Sequence, residues 1–212
     1  MVATTDMTEP TLLLASRSPR RAEILHLAGL AHEAISPGLD DAQLAPRGAS
    51  PRAWAASMAF LKAQAGLAQW RIGGAGARRL VIGADTICVH EGRILGQPID
   101  AEDARRMLTS FDDTEHEVVT GVAVIDSSTG GRDIFIDRAR VWWDGVGPAR
   151  IEEYVASGLW AGKAGAYNLA ERVEAGWPIR YEGSANTIMG LPIEQLRGRL
   201  ERMMCPPVEP AA

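Results

Sequence analysis

Thr11-Leu12-Leu13-Leu14-Ala15-Ser16-Arg17-Ser18-Pro19-Arg20-Arg21 is the stretch from which the fold of this chain is read. Residues 11–15 form a short apolar run of the kind that makes a buried strand. After the corner, Ile24, Leu25, Leu27 and Ala28 recur at helical spacing. Ser18 suits the N-cap and Pro19 the first helical position, and Gly29 is the matching stop. A strand therefore turns into a helix through a corner rich in hydroxyls and arginines.

Such a corner suits an anion. Free backbone N–H groups and the positive end of the helix dipole face the space in front of it. Ser16 and Ser18 add hydroxyls, and Arg17, Arg20 and Arg21 add planar forks that match phosphate oxygens. A capped helix with solvated arginines is the plainer alternative. The carboxylates and lysines later in the chain favour phosphate.

With 212 residues the chain fits one sizeable domain or two lobes sharing a core. Its net charge of −5 argues against a general nucleic-acid binder, while a local arginine cluster can still take a small anion. Cys88 and Cys205 give neither a metal spacing nor a disulfide framework. Residues 1–10 are polar and acidic, unlike a signal peptide, and no apolar run is long enough to span a membrane. The cytoplasm is the expected compartment. Lys62 and Lys163 are the only lysines beside many arginines; base composition favouring arginine codons is the plain cause, and against that bias a retained lysine points to a place where a compact ammonium is needed.

Outward from the corner, residues 31–35 read as a second strand, and Asp40-Asp41 as an acidic loop. Ser50-Pro51 opens a helix with Trp54, Met58, Leu61 and Ala65 on one face and Lys62 at its edge, where a snorkelling surface lysine is the simplest reading. Residues 71–79 read as a loop. Residues 80–84 form a buried strand ending at Asp85-Thr86, the strand end at which open α/β sheets bind ligands. Asp85 there can hold a divalent cation or take a proton from water.

Residues 87–89 and 93–95 read as a hairpin, and Asp100 caps the next helix. Two long strands come next, at 115–126 and 132–143, then a helix at 148–157. His116 reads as structural. The small residues around Lys163, in Gly162-Lys163-Ala164-Gly165-Ala166-Tyr167, would let backbone approach a ligand, and the lysine either reaches a phosphate or lies exposed on a tight loop. Residues 177–181 read as a strand, 183–187 as a polar turn, and Gly190-Leu191-Pro192 as the start of a last helix with Ile193, Leu196 and Leu200 inward. Cations and hydroxyls for several phosphates, joined to carboxylates for a cation and water, describe a phosphoanhydride hydrolase. No Walker A pattern is present.

On these residues the chain resembles the Maf-like nucleoside triphosphate pyrophosphatases over residues 11 to 203. Ala15 to Arg21 followed by Glu23-Ile24-Leu25, then Gly83-Ala84-Asp85-Thr86, His116 to Gly121, Lys163 to Tyr167 and Gly190-Leu191-Pro192 match its motifs in order. The resemblance implies a single domain over 11–203 with loose tails at 1–10 and 204–212. It implies an elongated mixed α/β sheet flanked by helices, with two lobes and a central cleft, like inosine triphosphate pyrophosphatase. It further implies cleavage between the α- and β-phosphates of a nucleoside triphosphate, a Mg²⁺ or Mn²⁺ cofactor, and a possible homodimer.

Carried over by position, Asp85 is the proton acceptor, and Asp41 and Asp85 are the metal ligands. Ser16, Ser18, Arg20, Arg21, Lys62 and Lys163 are the phosphate-site residues. Arg21 and Thr86 resemble the specificity residues of the dTTP/UTP branch, with Ala170 and Glu171 at the remaining specificity place. Three positions depart from the pattern: Gln97 replaces a lysine, Asp41 a glutamate and Ala170 a glutamine. A weakly active nucleotide-binding regulator of septum formation or division is the alternative expectation.

Overall fold

The computed structural model describes residues 11–39, 44–73 and 76–204. Asp41 and the tails expected at 1–10 and beyond Met204 lie outside them; Met204 itself ends a helix. The strands are β1 (Thr11–Ala15), β2 (His32–Ile35), β3 (Arg79–His90), β4 (Arg93–Leu95), β5 (Glu115–Asp126), β6 (Arg132–Trp143) and β7 (Ile179–Glu182). The helices are α1 (Pro19–Leu27), α2 (Pro51–Ile72), α3 (Ala101–Phe111), α4 (Pro148–Ala156), α5 (Leu169–Glu174), α6 (Ala185–Met189) and α7 (Ile193–Met204), with a 3₁₀ turn at Ala164–Ala166.

All seven strands join one mixed sheet in the order β2-β1-β3-β5-β6-β7, with β4 paired to β3. β1 runs parallel to both β2 and β3, and the remaining pairs are antiparallel. This is the expected mixed α/β architecture.

The period of two along the strands separates two faces. Leu12, Leu14, Leu80, Ile82, Ala84, Val122 and Val124 face Ile24 and Leu25 of α1 and Leu196 and Leu200 of α7. Leu13, Ala15, Val81, Ala123 and Ile125 face α2. A separate apolar cluster, built around Phe111, Trp143, Tyr154, Tyr167 and Trp177, covers another part of the sheet with α3, α4 and α5. Each fully buried leucine or isoleucine stabilises the fold by roughly 1.5–3 kcal/mol relative to exposure.

α2 buries only part of the expected stripe: Met58 is inward, and Trp54 and Ala65 are half-buried. Leu61 is 40% exposed, whereas Ala55, Met58, Ala59, Ala63, Gly66 and Leu67 are inward. Two glycines of the sheet lie directly beneath the helix, which explains the difference. A methyl group built on Gly83 would lie 2.3 Å from the Ala59 carbonyl oxygen, and one on Gly121 would lie 2.3 Å from that of Ala55. Small residues on the helix meet glycines on the strands, so α2 lies directly on the sheet backbone.

Other boundaries also shift. β3 does not end at Asp85. Its alternation continues through Ile87 and Val89, and β5 pairs with it from Leu80↔Asp126 to Val89↔Glu117. α2 runs to Ile72, into the expected loop. The polar turn at 183–187 is mostly helical: Ser184 caps α6 by accepting from the Asn186 N–H, and Gly190 closes it in a left-handed conformation. Short polar helices of this kind carry too little apolar period to be read.

Candidate active site

The site lies at a notch in the sheet. β1 pairs with β3 from Thr11↔Arg79 to Ala15↔Gly83, and β4 pairs with the same edge only from Cys88↔Leu95 onward. Between them, residues 84–87 of β3 have no strand partner on that edge among the described residues. Asp85 and Thr86 occupy this gap. The Ser16–Ser18 corner leaves the end of β1 beside it. The strand end that opens the site is therefore that of β1, not that of β3.

Because neighbours on a strand point to opposite faces, Asp85 and Thr86 serve different sides of the sheet. Asp85 faces α2, and the Lys62 ammonium lies 2.7 Å from its Oδ1. Both side chains are nearly buried, 11% exposed for Lys62 and 12% for Asp85. Lys62 is thus a paired, inward lysine, and the snorkelling surface reading is corrected. The close seating of α2 on Gly83 and Gly121 brings it there.

Thr86 faces α1 and α6. The Arg21 guanidinium donates from Nη2 to Thr86 Oγ1 (3.1 Å), from Nη1 to Ser16 Oγ (3.2 Å) and from Nε to the Gly190 carbonyl (2.8 Å). Ser16 is 8% exposed and its Oγ also accepts from the Ser18 N–H at 3.1 Å. Ser16 and Arg21 thus lock the corner onto β3 and α6. Ser18 holds the N-cap position of α1, but its hydroxyl makes no capping bond.

Arg20 points instead into a cavity of about 760 Å³. Its apolar wall includes Ile24, Leu27, Ala170, Met189 and Ile193, and its polar groups include Asn186 and Glu171. Arg20, Ala170 and Glu171 therefore share one concave surface. An apolar slot with a few polar groups is the usual form of a small-molecule pocket.

Lys163 meets Glu171, not the corner: Nζ lies 2.5 Å from Oε2. The small residues after it pack into the core. A methyl on Gly165 would lie 2.4 Å from Cys88 Sγ, and Ala166 is fully buried. Tyr167 donates or accepts at 2.8 Å with His116 Nε2, and His116 stacks on Phe111. Burial, with a smaller push from His90, lowers the His116 pKa to about 3, so the ring is neutral and structural. Burial pushes the Cys88 thiol up to about 12, leaving it unreactive.

Asp85 is the described carboxylate of the expected metal pair, Asp41 being outside the described residues. Among those residues no group of three His, Cys, Asp or Glu side chains could hold a metal ion. A single carboxylate suits Mg²⁺ that takes its other ligands from substrate phosphates and water, which is that ion's usual habit in nucleotide enzymes.

Thr120 and Thr187 escaped the sequence reading. Both are fully buried, and Thr120 shares a 2.9 Å hydrogen bond with Thr86 Oγ1. A threonine inside a valine-rich strand carries no period signal that separates it from packing.

The model of the family described as Maf-like protein matches residues 11–203. A dTTP/UTP pyrophosphatase of Desulfitobacterium hafniense (strain Y51) is 36% identical over 189 residues, spanning 89% of this chain and 83% of the relative. One of Anaeromyxobacter sp. (strain Fw109-5) is 39% identical over 194 residues, spanning 90% and 88%. One of Shewanella denitrificans (strain OS217 / ATCC BAA-1090 / DSM 15013) is 37% identical over 204 residues, spanning 92% and 96%. Among the described residues no helix is long and apolar enough to cross a membrane.

Proposed function

The chain belongs to the Maf-like family, and from that premise we propose that it hydrolyses the α–β phosphoanhydride of a nucleoside triphosphate, dTTP or UTP first among them, to the monophosphate and pyrophosphate. The observation that carries the reading is the notch. It brings a nearly buried Lys62–Asp85 pair and a hydroxyl- and arginine-lined corner to the same stretch of β3, residues 85 and 86.

In this reading the triphosphate lies across the corner. Arg20 and the Ser18 hydroxyl take phosphate oxygens, and the first backbone N–H groups of α1 add their dipoles. Asp85 accepts the proton of the attacking water as its oxygen bonds to phosphorus and the bridging oxygen leaves with the other product. The Lys62 ammonium keeps the carboxylate oriented, and its charge offsets the negative charge gathered at the reaction centre. The 760 Å³ cavity beyond Arg20 takes the nucleoside. A divalent cation, Mg²⁺ or Mn²⁺, would be held by Asp85 together with phosphate oxygens and would supply charge neutralisation and a more acidic water.

The test is pyrophosphate release from dTTP, UTP, CTP and the common purine triphosphates, with Mg²⁺ and then Mn²⁺, before and after chelation. Release from dTTP and UTP with monophosphate as the other product, lost with chelator and restored by either ion, is expected. Orthophosphate as the product, or no turnover on any triphosphate, would overturn the reading.

A further inference from the structure

A row of side chains crosses the sheet behind Arg21. The register places Thr86 opposite Thr120, and Thr120 opposite Asp137, on three adjacent strands. The Thr120 hydroxyl donates to the Thr187 main-chain carbonyl at 2.7 Å. That carbonyl can only accept, so the single Thr120 proton goes to it. Toward Thr86 the Thr120 oxygen can then only accept, and the 2.9 Å contact is donated by Thr86. The Thr86 oxygen in turn accepts from Arg21 Nη2. A guanidinium at one end and a carbonyl at the other fix every proton in the chain Arg21 to Thr86 to Thr120 to Thr187.

We propose that Thr120, buried under the site and away from the cavity wall, is a positioning residue that sets nucleotide discrimination by holding the Thr86 hydroxyl as an acceptor and, through it, the Arg21 fork. The proposal rests on the hydrolase reading of the site, with the cavity beyond Arg20 taking the nucleoside. Thr120 also steadies α6. Its donation to Thr187 and the Arg21 donation to Gly190 secure two points of that segment. Between them, Met189 belongs to the cavity wall, as does Asn186 just before Thr187. Thr187 Oγ1 is held from the other side by Asp137. One buried hydroxyl therefore links the arginine fork to the wall that takes the nucleoside.

Thr120→Val keeps the shape and removes the hydroxyl, while Thr120→Ser keeps the hydroxyl. In the valine variant Thr86 is free to turn its proton toward the site, and the Arg21 contact loses its directional partner. The expected result is a fall of about tenfold in the ratio of kcat/KM for dTTP to that for CTP, the scale of one lost buried hydrogen bond, carried mainly by KM. The serine variant should restore the ratio. An equal fall on both nucleotides, or an unchanged ratio in a folded valine variant, would overturn the proposal and leave Thr120 a packing residue.

A second readout does not need turnover. The Arg21 Nε–H signal in ¹⁵N-edited NMR spectra should be protected from exchange in the wild type and in Thr120→Ser, and exchange faster in Thr120→Val. Equal protection in all three would also overturn it. If no wild-type turnover occurs, the functional reading fails, while this measurement still decides whether Thr120 holds Arg21.

Discussion

The Lys62 ammonium sits 2.7 Å from the Asp85 carboxylate although the two residues come from a helix and a strand 23 positions apart. Nothing in either local stretch requires the meeting. It arises because Ala59 and Ala63 of α2 lie against Gly83 of β3, which lets the helix backbone descend onto the strand and carries Lys62 to the notch. The corner of α1 ends beside the same two residues of β3, so pair and corner share one candidate site.

Asp85→Asn keeps shape and still offers an oxygen to Lys62, so the fold should survive while proton acceptance is lost. Turnover should fall by about 10²–10⁴-fold, the usual weight of a general base, with the thermal midpoint little changed. Lys62→Met should behave differently. It strands a nearly buried carboxylate, so it should lose about 3 kcal/mol of stability as well as activity. Urea midpoints beside pyrophosphate-release rates check both, and a fully active Asp85→Asn would remove Asp85 from the role of base.

Gly83→Ala and Gly121→Ala each put a methyl group against a helix carbonyl at 2.3 Å. The helix must lift, so each should cost roughly 1–3 kcal/mol by overpacking and reduce turnover by moving Lys62 from Asp85. Gly198→Ala is the matched control. Its new methyl has nothing nearer than Arg202 at 3.7 Å, and as a helix-interior change it should stabilise by about 0.5–1 kcal/mol. Chemical denaturation of the three variants checks the contrast.

His116 makes stability depend on pH. Its folded pKa of about 3 lies below the ordinary value of 6.5 because burial disfavours the charged ring, with His90 adding a smaller repulsion. The unfolded chain therefore binds the proton first. The stabilisation is complete above pH 6.5 and is lost as pH falls toward about 3, with a slope of at most about 1.4 kcal/mol per pH unit. Urea midpoints at pH 7.5 and pH 5 should differ less for His116→Gln than for the wild type. Equal differences would mean that another group sets the slope.

The Lys163–Glu171 pair is expected to act through the cavity wall. Glu171 is 40% exposed and lines the cavity, while Lys163 is 13% exposed. Breaking such a partly solvated pair should change stability by less than about 1 kcal/mol. Lys163→Met should nonetheless raise KM for the triphosphate several-fold, because the wall then carries an unneutralised carboxylate facing a polyanion. Adding Glu171→Gln should bring KM back. Failure of the double variant to recover would instead mean that Lys163 itself holds phosphate.

Local signals are sufficient for the elements at the corner. Leu12 to Ala15, the Ser18-Pro19 cap and Gly29 announce a strand, a helix start and a stop, because period and capping chemistry act within a few residues. Asp85 is legible as a candidate site residue, since a carboxylate after a buried run of small residues either caps a turn or faces a ligand. The family, too, is legible from five short motifs in order.

Only the tertiary structure decided what those residues touch. α2 seats Ala55, Ala59 and Ala63 on the sheet while Leu61 stays exposed, because Gly83 and Gly121 let the helix backbone approach more closely than side chains would. Lys163-Ala164-Gly165-Ala166-Tyr167 packs on Cys88 and His116, because the same small residues that would admit a ligand also admit a core. The direction of the protons between Arg21 and Thr187 depends on residues from α1, β3, β5 and α6 converging at hydrogen-bond distance. Local composition determines which elements form and which side chains are available. Their pairing is a property of contacts distant in sequence, and only the packed chain brings them together.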